Sequence, residues 1–70
     1  MLREVILKAL ELVRVEFAES SWKAFWRSSI DGLPTDVVAE ELEITAAAVR
    51  QARSRIMRRL RIELGDLDRP

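Results

Sequence analysis

The chain has 70 residues and no cysteine, which is enough for one small domain but excludes disulfides and thiolate metal sites. No stretch approaches the roughly 20 apolar residues that cross a bilayer, and charged residues within 2–12 exclude a signal-peptide core, so we expect a soluble cytoplasmic protein. The net charge is zero, but the charges are unevenly distributed along the chain: residues 1–45 carry five basic and nine acidic side chains, whereas residues 46–61 carry six arginines and no acidic side chain. This polarity predicts a local attraction for a polyanion.

Two helices are predicted in the first half of the chain, at about 2–17 and 21–30. The first has apolar residues at helical spacing, namely Leu2, Val5, Ile6, Ala9, Leu10, Val13 and Phe17. The second has candidate N-caps at Ser20 and Ser21, a stop signal at Asp31-Gly32, and an apolar face of Trp22, Phe25, Trp26 and Ile30. Three further apolar residues of helix one lie partly off its stripe and are either core or a partner surface, namely Leu7, Leu12 and Val15.

Two more helices are predicted in the second half, at about 35–42 and 45–64, joined by the three-residue turn Glu43-Ile44-Thr45. Pro34 and Thr35 start the shorter one, and Thr45 is the expected cap of the longer one. The longer helix has an apolar seam of Val49, Ala52, Ile56, Leu60 and Leu64, and Gly65 follows it. Residues 66–70 are expected to fray. Because no segment alternates like a strand, the predicted fold is all-α, a small four-helix domain with no β-wing.

The segment 34–64, a short helix, a tight turn and a longer helix, has the arrangement of a helix-turn-helix, whose second helix enters the major groove of DNA. Arginine suits guanine, glutamine suits adenine and serine is permissive, so the candidate base-reading residues are Arg50, Gln51, Ser54 and Arg55. The slim alanine-rich helix start suits phosphates, and the remaining arginines suit phosphates or a protein partner, namely Arg53, Arg58, Arg59 and Arg61. The candidate backbone contacts are Thr45, Ala47, Arg53 and Arg58.

The run from Val37 to Thr45, together with Val49-Arg50, Arg55 and Leu60-Arg61, resembles region four of bacterial RNA polymerase sigma factors of the extracytoplasmic-function group. The stretch 22–26 followed by Asp31-Gly32 resembles the segment before the motif in that group. The resemblance spans about residues 10–64. It implies a domain that recognises the minus-35 promoter element in double-stranded DNA and contacts core RNA polymerase, with an anti-sigma protein as a further partner.

Two positions depart from the pattern of that family. Glutamate at Glu43 occupies a turn position that is often glycine, where the backbone is expected to be left-handed. Arg53 stands where an apolar residue is usual, so Ala52 is expected to take its place in the seam. The separate polymerase-binding module of sigma factors has no counterpart within these 70 residues.

Other interpretations of the function of these residues remain open. A small dimeric helix-turn-helix regulator would bind a palindrome, and a protein-interaction module would bind polymerase or an anti-sigma protein without reading DNA. The arginines could also be only a solvated helix face. Enzymatic activity and a cofactor are not expected, because the chain has no histidine, cysteine or tyrosine and no glycine-rich phosphate loop. The glutamates of the third helix are therefore interpreted as solvated, and the aromatic residues as core.

Overall fold

A computed structural model describes residues 2–65, and within that range every regular element is helical. This confirms the predicted all-α class. The four helices are α1 (Leu2–Arg14), α2 (Glu19–Phe25), α3 (Thr35–Leu42) and α4 (Ala46–Glu63). A single π-helical turn, Trp26–Ile30, continues α2. The tail predicted to fray, residues 66–70, lies outside the described residues.

The first helix is shorter than predicted, because it ends at Arg14 rather than at residue 17. Beyond it the chain tightens: the N–H of Glu16 donates to the carbonyl of Val13 at 3.0 Å, and that of Phe17 to the carbonyl of Arg14 at 3.2 Å. These hydrogen bonds join residues three positions apart and turn the chain toward Ala18, which precedes α2 and has an extended backbone. Phe17 still packs against the core from this turn, which explains why its spacing resembled a longer helix.

The predicted capping of the second helix is wrong. Ser20 and Ser21 lie inside the first turn, and Ala18 is the N-cap residue, with extended backbone and no side-chain bond to the helix. The helix begins at Glu19, where a carboxylate in the first turn interacts favourably with the positive end of the helix dipole.

The π-helical turn after α2 changes which side chains face the core. The N–H of Asp31 donates to the carbonyl of Trp26, five residues back, at 3.0 Å. Ser28 is thereby turned inward, where its hydroxyl donates to the carbonyl of Ala24 at 2.7 Å. The predicted apolar face is therefore only half correct: its first two aromatic residues are buried, whereas Trp26 and Ile30 are 36% and 51% exposed.

The turn between α3 and α4 closes with paired backbone bonds at the end of α3. The N–H of Ile44 donates to the carbonyl of Ala39 at 2.9 Å, and the N–H of Glu43 to that of Glu40 at 3.3 Å. This arrangement requires a left-handed residue, and Glu43 has φ 57° and ψ 43°. At the other side of the turn, the N–H of Ala48 donates to Oγ1 of Thr45 at 3.0 Å, which confirms the predicted cap of α4.

Replacing Glu43 by glycine is expected to raise the free energy of unfolding by about 1 kcal/mol, because glycine adopts a left-handed backbone without steric cost. Chemical denaturation monitored by circular dichroism measures the change. The matched control is Glu40→Gly in the interior of α3, which should lower stability by about 1 kcal/mol. Equal destabilisation by the two glycine substitutions would contradict the left-handed backbone conformation at Glu43.

Two clusters of buried side chains hold the helices together. One joins α1, α2 and the C-terminal half of α4 and contains Ala9, Val13, Trp22, Phe25, Ile56 and Leu60. The other joins α2, α3 and the N-terminal half of α4 and contains Ala24, Val38, Ala39, Val49 and Ala52. Leu42 and Ile44 pack against the second cluster from either side of the turn between α3 and α4. Because α4 contributes to both clusters, its orientation is fixed along most of its length.

The N-terminal part of α1 extends beyond these clusters with its apolar side chains uncovered. The predicted stripe is buried only at Ala9 and Val13, and five large apolar side chains of α1 are exposed, namely Leu2, Val5, Ile6, Leu7 and Leu12. Val15, just after the helix, is also exposed. Of the two alternatives left open for Leu7, Leu12 and Val15, the core assignment is therefore wrong. No helix of residues 2–65 has the length and hydropathy needed to cross a membrane.

A bidentate ion pair ties the π-helical turn to α3. The guanidinium of Arg27 donates to both carboxylate oxygens of Glu41 at 2.7 Å and to Asp31 at 3.3 Å. These hydrogen bonds hold the pKa of Glu41 below its usual 4.5. The pair therefore links the π-helical turn to α3 at the protein surface, in addition to the apolar contacts of the second cluster.

The depressed pKa of Glu41 makes part of the stability dependent on pH. The ionised carboxylate contributes stability above its unfolded-state pKa, and this contribution is lost as pH falls through the lower folded-state value. Thermal melts between about pH 6 and pH 3 should therefore show a shallower decline in Glu41→Gln than in wild type. Glu40→Gln is the control, since Glu40 has no ion-pair partner among residues 2–65 and its variant should follow wild type.

Candidate nucleic-acid interface

The fourth helix buries one side and leaves the opposite side to solvent. The buried seam comprises Val49, Ala52, Ile56 and Leu60, with Leu64 partly buried, as the sequence predicts. Successive residues of an α-helix are rotated by about 100°, so the outward face is centred opposite this seam. Since the seam packs on three other helices, the outward face is held in a defined orientation.

All four candidate base-reading residues lie on the solvent side of α4. Arg50, Gln51, Ser54 and Arg55 are exposed. On a regular helix they span an arc of about 140°, with Arg50 and Ser54 close together and Arg55 at the far edge. The structure therefore brings Arg50 and Ser54 together and places Gln51 and Arg55 about 60° and 100° further around the helix from Ser54.

The candidate backbone contacts surround this group. Ala47 is exposed in the first turn of α4, and Thr45 is exposed at the cap, where its hydroxyl oxygen accepts from Ala48 and its proton stays available for a further acceptor. Arg53 and Arg58 are also exposed. Ala52 is buried in the seam, as expected, so Arg53 projects outward although it is adjacent to the core.

The arginines of α4 divide into one that is paired and five that carry no ion pair within residues 2–65. Arg59 donates to both oxygens of Glu16 at 2.9 and 3.0 Å and to Glu63 at 3.1 Å. These bonds raise its pKa above the usual value and tie α4 to the turn after α1. The unpaired five are Arg50, Arg53, Arg55, Arg58 and Arg61.

One further exposed residue of α4 was not among the sequence-based candidates. Met57 is 38% exposed, and it lines a shallow depression of about 340 Å³. The other residues around the depression are Arg50, Arg53, Ser54, Arg58 and Arg61. The available signal was spacing: Arg50, Ser54, Met57 and Arg61 follow each other by four, three and four residues, the spacing of a single helix face.

Comparison of the chain with protein-family models, with curated proteins and with solved structures finds no match. The arrangement of α3, the turn and α4 is thus interpreted from its own geometry and charge.

Proposed function

We propose that this chain binds double-stranded promoter DNA through α4, as the minus-35 recognition domain of an extracytoplasmic-function type sigma factor. One observation carries the proposal: five exposed arginines without a carboxylate partner among residues 2–65 lie on the second helix of a tightly turned helix pair. Guanidinium groups without internal partners are suited to phosphates and guanine edges. The function places the chain in the cytoplasm, with core RNA polymerase as protein partner.

In this function α3 packs against α4 and supports it. The exposed residues at the cap and along α4 have two roles, base contact and phosphate contact. Arg50, Gln51, Ser54 and Arg55 contact base edges in the major groove. Phosphates are contacted by the remaining candidates, namely Thr45, the amide of Ala47, Arg53 and Arg58. The small side chain at Ala47 lets the start of α4 approach the DNA closely. Arg59 takes no part, because its guanidinium is held by Glu16 and Glu63.

A second candidate is a protein-interaction module that binds polymerase or an anti-sigma protein without reading DNA. It is favoured by the uncovered apolar side chains of α1, among them Leu2, Leu7 and Leu12, which are 64%, 49% and 49% exposed. Exposed apolar groups at this density are typical of protein contact surfaces. This surface and the arginines of α4 are separate features, so the two candidates can be tested separately.

Selection from a random pool of duplex DNA at two salt concentrations tests the proposal. The expected result is enrichment of one short asymmetric motif at the higher salt, where nonspecific phosphate binding is weakened. If no motif were enriched at either salt concentration, sequence-specific binding would be overturned and the interaction module favoured. A palindromic motif bound by a dimer would instead indicate the dimeric regulator.

A further inference from the structure

Met57 is a 38% exposed apolar side chain set among arginines at the margin between the buried and outward sides of α4. It belongs to neither core cluster. The depression that it lines is formed by α4 alone, with four arginines and Ser54 as the other walls. Burial within this chain thus does not account for an unbranched apolar side chain at this position.

Met57 shares a line with Arg50. Seven residues separate them, so they lie about 20° apart around the helix and about 10 Å apart along it. Base pairs stack every 3.4 Å or so along a strand, and a helix lying along the major groove would place the two side chains about three base pairs apart. Ser54 lies between them along the helix axis, about 40° around the helix from Arg50. In that orientation a side chain at Met57 would meet the same groove as one at Arg50.

The major-groove edge of a base pair offers one apolar group, the C5-methyl of thymine. We propose that Met57 contacts such a methyl group, about three base pairs from the base that Arg50 contacts. Of the arginines around it, Arg53 and Arg58 bind phosphates and Arg50 binds a base edge, and together they exclude water from the contact. Methionine suits this task because its flexible thioether adapts to the shape of a small apolar partner. The assignment rests on the proposed DNA-binding function and adds a specificity-determining residue to it.

Thymine-to-deoxyuridine exchange tests the contact, because it removes only the methyl group. Each thymine of the selected site is replaced in turn, and fluorescence anisotropy gives the dissociation constant for wild type and Met57→Ala. At one thymine, wild type should lose about fourfold in affinity, the effect of one buried apolar carbon. Met57→Ala should bind the normal and exchanged duplexes equally at that position. Non-additivity of this kind indicates direct contact.

Two control variants separate the contact from general effects. Ile62→Ala removes another exposed apolar side chain of α4, 68% exposed and off the line of Arg50, and should keep the full methyl sensitivity. Met57→Leu should also keep most of it. Circular dichroism melts verify that each variant is folded.

The outcomes separate the contact from DNA binding itself. Equal methyl sensitivity of wild type and Met57→Ala at every thymine would overturn the role of Met57 while leaving DNA binding intact. Insensitivity of wild type at every position would do the same. Absence of binding to the unmodified duplex would overturn both the contact and the proposed function.

Discussion

Alanine in place of Phe25 is expected to remove about 3–5 kcal/mol from the free energy of unfolding, the usual cost of deleting a buried aromatic ring. Phe25 is 1% exposed, and its ring centroid lies 5.2 Å from that of Trp22 in the larger core cluster. A domain of this size has a net stability of only about 3–5 kcal/mol. The variant should therefore be largely unfolded at 25 °C by circular dichroism.

The adjacent aromatic residue supplies the control for this prediction. Trp26 follows Phe25 in sequence but is 36% exposed, because the π-helical turn carries it toward solvent. Trp26→Ala should keep a cooperative melt with a modestly lower midpoint. If the two variants lost the same stability, the assignment of Phe25 to the core and Trp26 to the surface would be incorrect.

Alanine at Arg50 is expected to weaken binding to the selected DNA site by about 1–3 kcal/mol, or roughly five- to 150-fold. Arg50 is exposed, has no ion-pair partner within residues 2–65, and lies on the line of α4 that faces away from the core. The loss should be confined to one base position, where preference for guanine disappears. Anisotropy titrations on single-base variants of the site measure this.

Arg59→Ala is the matched control, since it removes the same charge from the same helix. Its guanidinium is bound to Glu16 and Glu63, so the variant should lose stability but keep the base preference of wild type. Retention of full affinity and preference by Arg50→Ala would argue against base reading. Equal loss of preference in both variants would indicate that only total charge matters.

Much of the fold follows from local sequence signals. The seam of α4 was predicted residue by residue, since an 18-residue helix with apolar residues at regular spacing leaves little ambiguity. The predicted stop at Gly32 was confirmed by its φ of 74°, and the cap at Thr45 by its bond to Ala48. The left-handed Glu43 was expected from the resemblance rather than from its residue type.

The errors arose where tertiary contacts override local pattern. The π-helical turn was missed because nothing in the spacing of the aromatic residues predicts an extra residue in that turn. The early end of α1 depends on how Phe17 packs after the chain reverses. Capping by Ser20 or Ser21 failed because hydroxyl residues are common at helix starts but do not by themselves define one.

The candidate interface was predicted in composition but not in detail. Charge counting separated the arginine-rich helix from the acidic body, and helical spacing separated outward from buried residues. Pairing of Arg59 with Glu16, 43 residues earlier in the chain, required the fold. Met57 was in neither the predicted seam nor the set of candidate contacts, although it lines the same depression as Arg50 and Ser54.

The salt dependence of binding is the most direct test of whether α4 is a DNA-binding helix, because its slope reports how many phosphates the unpaired arginines of α4 neutralise. The logarithm of the binding constant should fall with the logarithm of salt concentration with a slope of about −3 or steeper. Arg58→Ala should reduce the slope by about one unit, and Arg59→Ala should leave it unchanged. A slope near zero, or the same slope in wild type and Arg58→Ala, would contradict the assignment of α4 as a DNA-binding helix.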